Sequence, residues 1–408
     1  MRRVVRFGVS VLVAASMLAV GAAAGGGQGR PTATAGLDWR ASASFGLAAL
    51  REGRRTADPA WYPRAERALR RSLHLRRDGN VEAMVGMGVL ALGRHDFAEA
   101  LEWGRRARAA ARFDPEARGV IGDALVELGR YRAASRAIQS MIDLRPGLSS
   151  YARVSYIREL TGDLRGAIGA MRQAVRFAAT PEDAAWATAQ LGDLYFGSGR
   201  LALAARSYRT AGAIDRGAAI PRIGTARVAA ARGDLGRAAR ILSALARRYP
   251  APEVVMELAD VQVAAGDRAG AAESTALVRA MDRLASTAGV DTNLETALFL
   301  ADHHLEGAVE RARQAYRRRR SVTAADALAW ALSTEGYHRA AASQAREALR
   351  FGTRSAPFHF HAGMIAFRLG QLERARRFLG EAVAINPHFS SLQADRARRI
   401  LRRLEARP

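Results

Sequence analysis

The sequence predicts an all-α fold: a superhelical solenoid of about nine to ten helix-turn-helix units closed by a C-terminal capping helix. Three observations carry this reading. An alanine recurs at Ala65, Ala100, Ala134, Ala167, Ala204, Ala238, Ala271, Ala308, Ala340 and Ala375, always 32 to 37 residues from the next, a period that belongs to stacked helical hairpins. Twelve residues before most of these alanines stands a small residue, as at Gly88, Gly122, Ser155, Gly192, Ala226, Ala259 and Gly363, which lets paired helices approach closely. The period is also punctuated. Gly129, Gly162, Gly199, Gly233 and Gly370 fall between the two apolar stretches of a unit, where glycine supplies the left-handed residue that stops a helix. Pro146, Pro250 and Pro387 follow the second stretch, which proline cannot continue.

Taken in chain order, the N-terminus differs from everything after it. Arg2, Arg3 and Arg6 form a positive segment, residues 7–20 are uncharged and apolar, and Ala22-Ala23-Ala24 makes an A-x-A pattern, together the layout of an export signal over residues 1–24. The alternative is an uncleaved N-terminal helix that anchors the chain in a membrane. Residues 25–44 open on Gly25-Gly26-Gly27 and are expected to be a flexible linker. The solenoid is expected over residues 45–389. Within it Thr180-Pro181-Glu182-Asp183 reads as an N-cap, a first-turn proline and acids suited to the helix dipole. Residues 390–408 supply the cap, with Leu392, Ile400, Leu401 and Leu404 as its apolar side.

These positions resemble the tetratricopeptide repeat. Its pattern has a leading aromatic, Leu-Gly, a Tyr, the repeat alanine, a second aromatic and a closing proline. Trp186 matches the leading aromatic, and Tyr62, Phe97, Tyr131, Leu164, Leu201, Leu235, Leu305, Tyr337 and Leu372 stand three residues before a repeat alanine. The resemblance runs from Phe45 to Pro387 and implies a non-catalytic interaction scaffold. In that family the first helix of each pair lines a concave groove. The corresponding residues here are Asp123, Glu127, Tyr156, Glu159, Trp186, Asp193, Phe196 and Asp260. They imply an acidic, aromatic-patched groove for a basic or neutral extended segment of a peptide or protein.

Charge leaves a second reading open. The formal net charge is +24, and all 63 basic side chains are arginine. They concentrate in second helices and linkers, as at Arg105-Arg106-Ala107-Arg108, Arg247-Arg248 and Arg317-Arg318-Arg319-Arg320. Such a convex face suits a polyanion, whether nucleic acid, an anionic cell-wall polymer or acidic lipid.

Chemistry is poorly represented. The chain has no cysteine, which removes disulfides, thiolate catalysis and cysteine metal sites. Without lysine it has neither a phosphate-binding P-loop nor a Schiff-base nucleophile. Gly86-Met87-Gly88-Val89-Leu90-Ala91 spells a dinucleotide fingerprint, yet it falls inside a predicted helix with no strand before it. No catalytic residue, cofactor or metal site is assigned. His303, His304 and His338 fall in neighbouring turns and are the one group that the repeat could bring to a shared ion.

Overall fold

The computed structural model describes residues 38–406. The expected export signal and all but the end of the expected linker lie outside these residues. Among the described residues there are 21 helices and no strand. Ten antiparallel pairs, here repeats one to ten, run from Trp39–Thr56 with Trp61–Leu75 to Ala356–Arg368 with Leu372–Ile385. A last helix, Ala394–Glu405, follows. The first helix among the described residues begins at Trp39, so residues 39–44 belong to the array and not to the linker expected there. No helix among the described residues is long and apolar enough to cross a membrane.

The repeat alanines mark where the two helices of a pair touch. Ala100, Ala134, Ala167, Ala204, Ala238 and Ala375 have no exposed surface. The small residue twelve positions earlier faces the side chain four positions after the alanine. A Cβ on Gly122 would stand 2.7 Å from Ile138, on Gly192 2.7 Å from Tyr208, and on Gly363 2.8 Å from Leu379. A larger residue there would push the pair apart. Repeat nine departs from the expected register by one residue. Ala341 is the buried one and Ala340 faces solvent, because the second helix starts at His338 and Tyr337 precedes it as N-cap.

Turns within repeats are closed by local chemistry. Gly162 takes a φ of 80°, and the next residue, Asp163, caps the following helix by accepting from the Gly166 N–H at 2.9 Å. Asp234 and Asp267 do the same for Arg237 and Gly270, satisfying donors that a helix N-terminus leaves without partners. Thr180 accepts from the Asp183 N–H as its sequence suggests. At the far end the capping helix buries Ala397, Ile400 and Leu404, and Phe389 packs on Phe360 at 5.5 Å. Phe360 is thereby fully covered, while Phe367 stays on the surface.

The array coils tightly enough to touch itself. The turn inside each of repeats one to five meets the linker that follows repeats six to ten. Tyr249 donates to the Arg54 carbonyl at 3.3 Å, and Arg94 donates to the Ala288 carbonyl at 3.1 Å. The Val322 N–H donates to the Tyr131 hydroxyl at 2.9 Å. Thr353 donates to the Leu160 carbonyl at 2.6 Å and Asn386 to the Phe196 carbonyl at 2.8 Å. Partners lie 190 to 195 residues apart, so about five and a half repeats complete one superhelical turn. Val322, Ala325, Ala348 and Phe358 of repeats nine and ten share one apolar core with repeats one to five.

Candidate functional site

The self-contact decides what the concave face can do. Its expected ligand-binding residues fall into three groups. Asp123, Glu127 and Asp260 are buried and already bonded. The Asp123 carboxylate takes both arms of the Arg153 guanidinium at 2.7 and 2.8 Å. Glu127 accepts from the Tyr156 hydroxyl at 3.2 Å and lies 3.6 Å from Arg319. Asp260 pairs with His303 at 2.9 Å, whose ring packs on Phe299. Asp193 is also bonded, to the Tyr208 hydroxyl at 2.7 Å and to Arg227 at 3.0 Å, and Arg227 bridges onward to Glu257 at 3.0 Å. The sequence reading leaves these carboxylates open to a ligand. In the structure Arg153 and Arg227, each one repeat away, neutralise Asp123 and Asp193, because adjacent first helices present the same strip of positions to one another, while Glu127 meets Arg319 across the self-contact and Asp260 is bonded by His303.

Trp186 stands apart from the rest, partly buried against the core of the first five repeats, its indole N–H without an acceptor.

Four of the expected residues converge. Tyr156, Glu159, Asp193 and Phe196 line one cavity of about 270 Å³, closed on its other side by Thr353, Asn386 and Phe389 from the linkers around repeat ten and by Phe358 from the start of its first helix. Repeat ten and its flanking linkers thus build half of a site that repeats four and five begin. Glu159 is the exception to the pairing rule, its carboxylate making neither hydrogen bond nor ion pair among the described residues. Burial, and then the nearby Asp193 carboxylate, push its pKa up to about 7. Glu127 is likewise pushed up to about 7 by burial, although Arg319 opposes the shift.

The sequence reading missed Arg153, Glu257 and Arg319. Arg153 and Glu257 each stand 30 residues from their partners, Asp123 and Arg227, so a search for opposite charges one repeat apart would find them. Arg319 belongs to the run Arg317–Arg320, which does not form one outer patch. Arg317 pairs with Glu310 and Arg318 with Asp291. Arg319 is 3% exposed, and its guanidinium lies over Phe97.

Elsewhere the second helices keep their charge outside. Arg105, Arg108, Arg132, Arg136, Arg206 and Arg240 are exposed and make no ion pair among the described residues. The histidines stay separate. His303 is committed to Asp260 and His361 to Asp326. Among the described residues no group of three or more histidine, cysteine or acidic side chains could hold a metal ion.

Residues 356–389, which contain repeat ten, match the tetratricopeptide repeat family. Two solved structures resemble parts of the chain. One is a thermophilic tetratricopeptide-repeat protein of Thermus thermophilus, at 20% identity over 47% of this chain and 98% of that one, with a TM-score of 0.42. The other is PilF of Pseudomonas aeruginosa, at 18% identity over 52% and 92% of the respective chains, with a TM-score of 0.38. No curated protein matches the sequence. Repeat ten thus matches the tetratricopeptide repeat family, and the same buried alanine and close helix pairing recur along the helical array.

Proposed function

We propose that the protein is a non-catalytic interaction scaffold that engages an acidic protein partner through its convex face. Tetratricopeptide repeats generally mediate contacts between proteins, and arrays of this kind present extended surfaces. One observation carries the choice of face. Groove carboxylates are bonded inside the chain by Arg153, Arg227, Arg319 and His303, whereas Arg105, Arg108, Arg132, Arg136, Arg206 and Arg240 face outward and make no ion pair among the described residues. The positive charge is therefore expressed on the outside, where it steers negatively charged partners. Export, by the signal in residues 1–24, is part of the same proposal and puts the scaffold outside the cytoplasm.

The test is binding of a fluorescent polyglutamate peptide and of a DNA duplex across a salt series. The peptide is expected to bind at low salt, to weaken steeply as salt rises, and to lose several-fold affinity when Arg105, Arg106 and Arg108 are all changed to Gln. A duplex that binds far more tightly than the peptide would replace the protein partner by a polyanion. No binding of either at low ionic strength would remove the convex-face reading.

A further inference from the structure

We propose that the cavity between the turns of repeats four and five and the linkers around repeat ten binds a small organic cation: one ammonium or guanidinium group on an apolar stem. The site is independent of the convex face. It exists only because the superhelix closes on itself, since one wall comes from Tyr156, Glu159 and Phe196 and the other from Phe358, Asn386 and Phe389.

Charge selects the ligand. The charged groups that line the cavity are Glu159, Asp193, Arg227, Arg200 and Arg354. Asp193 and Arg227 bond each other at 3.0 Å, with Tyr208 and Glu257 completing their hydrogen bonds. Arg200 and Arg354 are exposed, so solvent and salt screen them. That leaves Glu159 as the one lining carboxylate with no cation of its own among the described residues. Around it the walls are mostly apolar and include three phenylalanines and a tyrosine. Aromatic faces attract a cation that has left water, and an apolar stem gains from covering them. At about 270 Å³ the space lies at the small end of ligand pockets. It suits a ligand of amino-acid size with a single positive charge, because the two rim arginines disfavour a second one.

A protonation change should accompany binding. Burial and Asp193 keep the Glu159 carboxyl partly protonated near neutrality, and a cation beside it favours the ionised form, so the ligand displaces a proton.

The experiment is calorimetric titration of the full chain with phenethylamine, alongside the neutral 2-phenylethanol and the anionic phenylacetate. The amine is expected to bind at least tenfold more tightly than the alcohol at pH 7.5. Near pH 6.5 its heat should depend on the buffer in the sense of proton release. Glu159→Gln should lose the proton release and at least tenfold in affinity. Arg354→Glu, an exposed change that leaves the fold alone, should tighten the amine several-fold and carries the test if Glu159→Gln fails to fold. Equal binding of amine and alcohol would overturn the proposal, as would preference for phenylacetate, absence of heat from all three at millimolar concentration, or an unaltered Glu159→Gln titration.

Discussion

The turns of repeats three to five and those of repeats six, seven, nine and ten look alike in sequence and behave differently in the molecule. Gly129, Gly162 and Gly199 have φ of 72°, 80° and 72°, and Gly233, Gly266, Gly336 and Gly370 have φ of 88°, 81°, 93° and 72°. All seven serve the same left-handed stop. Yet a Cβ on Gly129 or Gly162 would run into the backbone of Arg320 or Gly352, and on Gly199 it would stand 3.2 Å from the Ile385 carbonyl. On the other four it would meet nothing within 4 Å. One set is sealed beneath the next superhelical turn and the other is free. A local signal therefore specifies the hairpin without saying which hairpins the coil will cover.

The sharpest break between the two sets is expected at Arg319, which enters the seam from the linker after repeat eight. Its guanidinium lies 3.6 Å from Glu127 and 3.4 Å from Glu295, and Arg319→Gln would leave the buried Glu127 without its cation. Removing one partner of a buried pair costs about 3–5 kcal/mol. Chemical denaturation should show a loss of that size, and small-angle scattering should show a larger radius if the coil opens. Arg317→Gln, which severs an exposed pair with Glu310, should leave stability unchanged, because solvent screens such a pair. Equal effects of the two would mean that the seam contributes nothing to stability.

Next in size is the glycine comparison itself. Alanine in a left-handed turn costs roughly 1–2 kcal/mol wherever it is placed, so Gly370→Ala should lose about that much. Gly162→Ala carries the same backbone cost and also displaces the Gly352 backbone, which should bring the loss to about 2–4 kcal/mol. Thermal denaturation of the two variants side by side decides it. Identical losses would show that the seam yields without resistance.

How much of this was legible in the sequence follows from the range of the forces. The repeat alanines, the glycine turns and the Asp163, Asp234 and Asp267 caps depend on residues within one hairpin, and the chain spells them out. Repeat nine slipped by one residue because Ala340, Ala341 and Ala342 offer three adjacent candidates, and only packing picks Ala341. The groove pairing was partly readable, since Asp123 and Arg153 lie 30 residues apart. The seam was not. It depends on a small rotation added at every repeat, and a slight change in that rotation would bring other residues beside Leu160 and Phe196. The cavity lies on the seam, so the sequence could nominate Tyr156, Glu159, Asp193 and Phe196 but not Phe358, Asn386 and Phe389 opposite them.

The smallest expected effect turns the comparison into a pH experiment. Glu159, in the sealed part, has its pKa raised from 4.5 to about 7, first by burial and then by Asp193. A carboxyl with a raised folded pKa binds its proton more tightly in the folded state than in the unfolded one. Its contribution is then greatest below the unfolded value, is lost as pH rises from about 4.5 to about 7, and stays flat above that. The shift corresponds to a few kcal/mol at most, and residual water contact at Glu159 lowers this to roughly 1–2 kcal/mol. Glu159→Gln, neutral at every pH, should abolish that share of the decline and make the variant more stable than the parent above pH 7 by a similar amount. Glu306→Gln, exposed in the turn of repeat eight, is the control substitution. Denaturation series at pH 5, 6, 7 and 8 on all three proteins read out the difference. If Glu159→Gln and the parent decline in parallel, the carboxyl is as well solvated as one on the free edge, and the closed seam does not shield it.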